Sequence, residues 1–155
     1  MPDPNIKILY KETYLKAVEN SVGSKVFNSL VVQFRDTNEV KDILLDGIYS
    51  CAFFVSSILY LVNAIDKPHA TVKRLLETFE KGEKWKKVAI NDLEAGDVIF
   101  WENIKFDDGS ENAHVGFALN KEEAVSTDYK NKVVTKHPII SESKRKIDVV
   151  YRYTW

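Results

Sequence analysis

The apolar run YSCAFFVSSILYLVNAI, residues 49–65, constrains the fold more than any other part of the chain. It is long enough for a helix, too long for an average strand, and apolar on nearly every side. A helix of this kind lies in the middle of a domain. We therefore predict a buried central helix from about Ser50 to Asn63, with Ser50 as its N-cap. Its serines and its length argue against a membrane span.

The rest of the pattern places helices first and short strands later. Apolar residues at helical spacing predict a helix over residues 10–22 and another between Pro68 and Gly82. Apolar and β-branched runs predict strands over residues 26–34, 40–45, 88–90, 98–101, 114–119, 124–127 and 133–134, and in IDVVYRYTW at the end of the sequence. This order indicates an α+β domain with an antiparallel sheet.

The composition favours one domain and argues against nucleic-acid binding. The 155 residues contain no internal repeat and no long linker, so we predict a single domain over residues 1–155. With 22 basic and 23 acidic residues the net charge is -1, which lacks the positive charge that nucleic-acid binding requires. The short basic cluster at residues 144–146 is predicted to be a solvated turn.

The single cysteine, Cys51, excludes an internal disulfide and a cysteine-based metal cluster. Nothing in the pattern indicates a cofactor or a metal. Cys51 falls in the first turn of the predicted central helix, where free N–H groups and the helix dipole favour a thiolate. The same N–H groups are suited to hold an oxyanion. The alternative interpretation is a small, buried and unreactive hydrophobic residue.

A nucleophilic cysteine requires a base, and His114 is the best placed of the three histidines. It opens the apolar strand AHVGFAL, whereas His69 follows a proline at a helix start and His137 precedes a proline in a polar stretch. We expect His69 to lie at the surface or to cap a helix, and His137 to lie in a loop. A histidine at a strand edge facing a helix N-terminus gives the geometry of a Cys–His pair. We therefore predict contact between Cys51 and His114.

The order of these segments resembles the NlpC-type cell-wall peptidases, a papain-like family. A cysteine at a helix start, the strand GDVIFW and then HVGF follow one another as they do in that family, over roughly residues 50–128. The stretch YSCAFFVSSILYL also resembles a subgroup of small uncharacterised bacterial proteins of this kind. The CHAP amidases share the same order and fold. The resemblance implies a papain-like domain in which the cysteine helix packs on the sheet.

The chain departs from the family pattern at several positions. Ser50 stands where the family usually has Asp, and Ala52 and Phe53 stand where it has Ser-Gly. The residue that orients the family's catalytic histidine lies about twelve positions after it, which is Ser126 here. Asp128 shares the strand parity of Ser126 and carries a charge, so it is the first alternative partner. His137 is a third, less favoured candidate.

The resemblance implies cysteine-dependent hydrolysis of an amide bond in a peptidoglycan stem peptide, with Cys51, His114 and Ser126 as the catalytic residues. Two alternatives stay open. One is a CHAP-like amidase that cuts another amide bond of the wall. The other is a domain that binds its ligand without cutting it, because the residues around Cys51 and at position 126 differ from the family pattern.

No export signal is predicted in this sequence. The first residues, MPDPNIKILYKETYLK, lack the apolar core of a secretory signal. For a wall enzyme this leaves three possibilities: export information that lies outside this sequence, delivery by a secretion apparatus, or action on fragments recycled into the cell. The sequence does not decide between a cytoplasmic and an exported protein.

Overall fold

The structure, a computed structural model, describes residues 3–105, 108–140 and 145–155. These residues contain three α-helices, α1 (Tyr10–Asn20), α2 (Cys51–Leu61) and α3 (Val72–Lys81), and a short 3-10 helix at Ile90–Asp92. The strands are β1 (Val31–Gln33), β2 (Val40–Asp42), β3 (Trp85–Lys87), β4 (Val98–Lys105), β5 (Glu111–Ala118), β6 (Glu123–Asp128), β7 (Val133–Pro138) and β8 (Ile147–Tyr153).

Six of these strands form one antiparallel sheet in the order β3-β8-β4-β5-β6-β7. β1 and β2 form a separate antiparallel hairpin. Within the described residues the predicted α+β class with an antiparallel sheet is therefore confirmed.

The sheet carries an apolar layer on each face. On the face that we call the helix face, the helices pack on side chains that include Phe100, Val115 and Phe117. The opposite face, which we call the outer face, carries the smaller cluster Leu93, Ile99, Trp101, Ala118, Ala124, Ile139 and Val150. Successive residues of a strand point to opposite faces, so Phe100 and Trp101 lie in different layers.

The predicted central helix is present as α2, and most of it is buried. Phe54, Val55 and Leu59 have no exposed surface (0%), and each such side chain contributes about 1.5–3 kcal/mol to folding. The helix ends earlier than predicted, because Asn63 adopts a left-handed conformation with φ 58°. The Ser50 side chain was expected to cap the helix, but its hydroxyl donates to the Gly47 carbonyl instead. None of the helices in the described ranges has the length and apolar content that crossing a membrane requires.

Several strand boundaries differ from the predictions. The strand predicted over residues 26–34 is reduced to β1, because the Asn28 N–H closes a turn onto the Lys25 carbonyl. The strand predicted over residues 88–90 is wrong, because the chain enters the 3-10 helix there and the strand β3 precedes it. β7 is longer than predicted and continues to Pro138.

The Gly-Asp pair of GDVIFW has a structural role at the start of β4. Gly96 has a positive φ of 90°, and its carbonyl accepts a hydrogen bond of 2.7 Å from the Tyr14 hydroxyl. The Asp97 carboxylate is 1% exposed, accepts from the Glu94 N–H at 2.8 Å and pairs with the Arg152 guanidinium at 2.7 and 2.8 Å. These bonds fix the start of β4, the strand that pairs with β5.

Replacing Asp97 should therefore destabilise the domain without touching the candidate site. Asp97→Ala leaves the Glu94 N–H and Arg152 without their partner, and we expect a loss of about 2–3 kcal/mol, because Arg152 retains access to water. Urea unfolding measures this change. Glu19→Ala, which removes the exposed Lys16–Glu19 pair, is the matched control and should cost no more than about 0.5 kcal/mol. Equal effects of the two substitutions would contradict this role for Asp97.

Candidate functional site

The Cys51 sulfur lies where the sheet opens between β5 and β6. Only the last two residues of β5 pair with β6, so the β5 backbone around residue 114 has no β6 partner in the observed register. The sulfur occupies this opening from the helix face. It lies 3.8 Å from the Ala113 carbonyl oxygen, to which the thiol donates, and close to the Val115 N–H. The first residue of α2 therefore rests against the backbone that carries His114.

Burial raises the pKa of the Cys51 thiol above its ordinary value of 9.0. The N–H groups of Val115, Ala52 and Cys51 and the charge of Arg145 favour the thiolate, but removal of the sulfur from water outweighs them. The expectation that the helix N-terminus produces a resting thiolate is therefore wrong. At neutral pH Cys51 holds its proton, and a base is needed to remove it.

The His114 side chain lies on the outer face, where its ring is held by two neighbours. The ring Nε2 is 2.8 Å from the Ser126 Oγ, and the Trp101 ring centroid lies 5.3 Å away. The contact with Ser126, predicted by counting along the hairpin, is present. The thiol of Cys51 has the Ala113 carbonyl as its hydrogen-bond partner rather than the ring. Direct contact between Cys51 and His114 and the catalytic roles of all three residues stay predictions.

Gly116 allows this arrangement, because a side chain there would separate β5 from β6. A Cβ atom at this position would lie 2.6 Å from the Val125 carbonyl oxygen, 2.8 Å from the Ser126 Cβ and 3.2 Å from the Trp101 ring. Contacts this short force neighbouring atoms apart. The glycine of HVGF therefore permits the close approach that brings Ser126 to His114.

The alternative partner, Asp128, is engaged elsewhere. Its carboxylate accepts from the backbone N–H groups of Lys130 and Asn131 and from the Asn131 side chain, at 2.7 to 3.2 Å. These bonds form the turn between β6 and β7, and they lower the pKa of Asp128. Asp128 therefore stabilises a hairpin turn, and Ser126 is the observed neighbour of the His114 ring.

The other two histidines have different surroundings. His69 lies before α3, as expected, and its Nε2 is 2.9 Å from the Thr78 hydroxyl. His137 was expected in a loop, but it belongs to β7, and its Nε2 is 2.6 Å from the Ser126 Oγ. His137, the least favoured candidate for the partner of His114, thus contacts Ser126, and its place on a strand was not expected because the strand at residues 133–134 was predicted too short.

Arg145 is a further residue of the site that the sequence did not indicate. The cluster at residues 144–146 was predicted to be solvated, but Arg145 is half-buried, and Lys144 lies outside the described residues. The Arg145 Nε donates to the Glu102 carbonyl at 2.9 Å, and its Nη2 donates to the Asn112 carbonyl. The positive charge of Arg145 acts to lower the pKa of both Cys51 and His114, although burial raises the pKa of Cys51 overall. Arg145 therefore lies close enough to influence both groups.

A pocket of about 440 Å³ opens on the outer face beside these side chains. Its lining includes His114, Ser126, His137, Arg145 and Trp101. Among the described residues that line it Cys51 is absent, because the sulfur approaches β5 from the helix face. The volume lies in the range of sites for small ligands.

Within the described ranges no group of three or more His, Cys, Asp or Glu side chains is arranged to hold a metal ion. A comparison of the chain with models of protein families gave no match, and a comparison with curated proteins gave none. The arrangement of side chains therefore carries the functional argument. It offers a neutral thiol, an imidazole held by hydrogen bonds, and free N–H groups at a helix start.

The His114 ring is held in its neutral form. Burial, with contributions from the charge of Arg145 and from His137, lowers the pKa of His114 from 6.5 to about 3. Between these two values the unfolded chain binds a proton that the folded protein does not. The stability that depends on neutral His114 is therefore complete above pH 6.5 and is lost as the pH falls towards 3.

Acidification should accordingly destabilise the protein through His114. We expect the free energy of unfolding to fall by up to about 3 kcal/mol between pH 7 and pH 4 because the partly buried ring resists protonation. His114→Gln removes this titration and should give a flatter dependence on pH. Urea unfolding at pH 7, 5.5 and 4 measures both proteins. Parallel losses in the two proteins would contradict the lowered pKa.

Proposed function

We propose that this chain is a cysteine hydrolase of papain-like fold that cuts an amide bond in peptidoglycan stem peptides. Cys51 is the nucleophile, His114 the base, and Ser126 the residue that orients the base. The observation that carries the proposal is the position of the sulfur, at the first residue of the central helix and against the strand backbone that carries a hydrogen-bonded His114. A purely structural cysteine requires neither a neighbouring histidine nor a hydrogen-bond partner for that histidine.

The proposed mechanism is general-base catalysis from a neutral resting pair. Because Nε2 of His114 is held by Ser126, Nδ1 is the nitrogen that accepts the Cys51 proton. The sulfur attacks the amide carbonyl, and the N–H groups of Cys51 and Ala52 at the start of α2 stabilise the oxyanion. His114 then protonates the leaving amine. Water, deprotonated by the same ring, attacks the thioester, and the acid product leaves as the thiol regains its proton.

The fold supports a papain-like assignment. In this architecture a cysteine at the start of a central helix meets a histidine on an antiparallel sheet that packs on that helix. Here α2 packs on β5 and β6, and His114 and Ser126 come from these two strands. The order of Cys51, β4 and HVGF along the chain is the order that carries the resemblance to NlpC-type peptidases.

The pocket on the outer face supports a peptide substrate. A volume of about 440 Å³ is sufficient for a few amino-acid residues, and the lining combines aromatic and charged side chains such as Trp101 and Arg145. The proposed reaction requires a bound peptide to extend from this pocket to the opening between β5 and β6, where the sulfur lies. Peptidoglycan as the source of the peptide follows from the family resemblance.

A second candidate function, binding without cleavage, is favoured by the state of the thiol. The pKa of Cys51 is raised, the residue is only 9% exposed, and its sulfur is turned towards the Ala113 carbonyl. In this alternative the pocket binds the wall peptide, and Cys51 is a buried apolar residue. The two functions differ in whether an amide bond is broken.

Cleavage should depend on Cys51. We expect the purified protein to release new amino groups from peptidoglycan peptides, and Cys51→Ala to lower the rate by at least about a thousandfold, because the nucleophile is absent. Liquid chromatography with mass spectrometry of the products measures the rate and identifies the bond. Glu19→Ala is the matched control, and it should retain nearly full activity because it removes an exposed ion pair on α1 and does not line the pocket.

The binding alternative makes the opposite forecast. It predicts that wild-type protein and Cys51→Ala bind the peptides with equal affinity in calorimetry and that neither protein releases amino groups. Cleavage that survives Cys51→Ala would contradict both functions.

A further inference from the structure

His137 extends the row of polar side chains behind His114. It lies on β7 opposite Ala124, one diagonal step from Ser126 on the outer face. Its Nε2 is 2.6 Å from the Ser126 Oγ, and its Nδ1 is 2.8 Å from the Pro138 carbonyl oxygen. The Trp101 ring, which packs beside His114, also lies 5.8 Å from the His137 ring. The two histidines are therefore joined through one hydroxyl group.

The direction of these hydrogen bonds follows from the Pro138 carbonyl at one end. A carbonyl oxygen only accepts, so Nδ1 of His137 carries a hydrogen and donates it. In neutral His137 the Nε2 is then an acceptor, and the Ser126 hydroxyl donates its single hydrogen to it. The Ser126 oxygen can therefore only accept from His114.

His114 is consequently the tautomer that carries its hydrogen on Nε2. That hydrogen is donated to the Ser126 Oγ, and Nδ1 of His114 is left with an unprotonated lone pair. In the opposite tautomer Nδ1 already holds a hydrogen and is unable to accept one from Cys51. The tautomer of His114, the proposed base, is thus set by His137, which acts through the Ser126 hydroxyl.

We propose that His137 is a positioning residue that sets the tautomer of His114 through Ser126. The inference rests on the proposed function, in which Nδ1 of His114 takes the Cys51 proton. It gives His137 a role beyond packing. It also explains how a neutral serine replaces a charged orienting residue, because the hydroxyl acquires its direction from the acceptor behind it.

Two substitutions of His137 test whether the hydrogen-bond acceptor at the position of Nε2 is the part of the side chain that matters. The amide of His137→Gln reaches the position of Nε2 and offers an oxygen to Ser126, whereas the amide of His137→Asn ends near the position of Nδ1 and does not reach it. Nitrogen chemical shifts of the His114 ring, measured by NMR on labelled protein, report its tautomer. We expect Nε2–H in the wild type and in His137→Gln, and Nδ1–H as the main form in His137→Asn.

Hydrolysis rates provide a second readout with an unusual expected pattern. We expect kcat/KM to fall about 10- to 100-fold in His137→Asn and to change little in His137→Gln. Ser126→Ala alone loses the hydrogen bonds to both His114 and His137 and should cost roughly two- to tenfold. Adding Ser126→Ala to His137→Asn should raise the rate to the level of Ser126→Ala, because the hydroxyl that stabilises the wrong tautomer is gone.

The tautomer measurement decides the inference independently of activity. An Nδ1–H ring in the wild type, or an unchanged Nε2–H ring in folded His137→Asn, would overturn it. If His137→Asn fails to fold, His137→Ala, which also removes the acceptor, takes its place in the NMR measurement, and an unchanged Nε2–H ring there overturns the inference. A wild-type protein with the expected tautomers and no hydrolase activity would refute the proposed function and leave the role of His137 in setting the tautomer in place.

Discussion

The burial of the first turns of α2 against the sheet is the constraint on which the rest of the structure depends. The helix has apolar residues on nearly every side, so strands and helices must surround it. Its first residue then meets β5 at the point where β5 and β6 separate, and the sulfur fills the space that strand pairing leaves. The same packing that places the sulfur removes it from water and raises the pKa of the thiol. The packing of α2 on the sheet therefore explains both the position of the Cys51 sulfur and its protonation state.

Because the thiol of Cys51 is neutral, the proposed reaction depends on His114 to remove its proton. A neutral thiol has to lose its proton during the reaction, and only an imidazole in the correct tautomer accepts it. The outer face meets this requirement with neutral hydrogen-bonding groups, from His114 through Ser126 to His137, packed beside Trp101. Gly116 permits the approach of β6 that completes the row. An acidic residue in place of Ser126 would accept the ring hydrogen and add a negative charge.

The sequence was sufficient for the parts of the fold that depend on local pattern. The apolar run predicted α2, and apolar and β-branched runs predicted the central parts of β5 and β6 and the first half of β4. The contact between His114 and Ser126 was implied by the family resemblance, through an offset of about twelve residues. Parity alone also allowed Asp128, and the two were distinguished only by where pairing of β5 and β6 stops. The position of His137 depends on how far β7 extends, which the sequence pattern left too short. The position of Arg145 depends on hydrogen bonds to backbone carbonyls, and the spacing of apolar residues gives no sign of such bonds.

The state of Cys51 was mispredicted because two opposing effects had to be compared. Free N–H groups at a helix start favour the thiolate, and the sequence shows their presence. Desolvation favours the thiol, and its size depends on how deeply the sulfur is packed, which only the folded structure shows. The proposal therefore relies on a general base rather than on a preformed ion pair of thiolate and imidazolium.

The most direct test of the central claim is a search for the acyl-enzyme. Wild-type protein turning over a peptidoglycan peptide should be quenched in acid and analysed by intact-mass and peptide mass spectrometry. The account predicts an added mass equal to the acyl part of the substrate, located on the peptide that contains Cys51 and absent in Cys51→Ala. Steady hydrolysis without any adduct on Cys51, at a rate that Cys51→Ala retains, would contradict it.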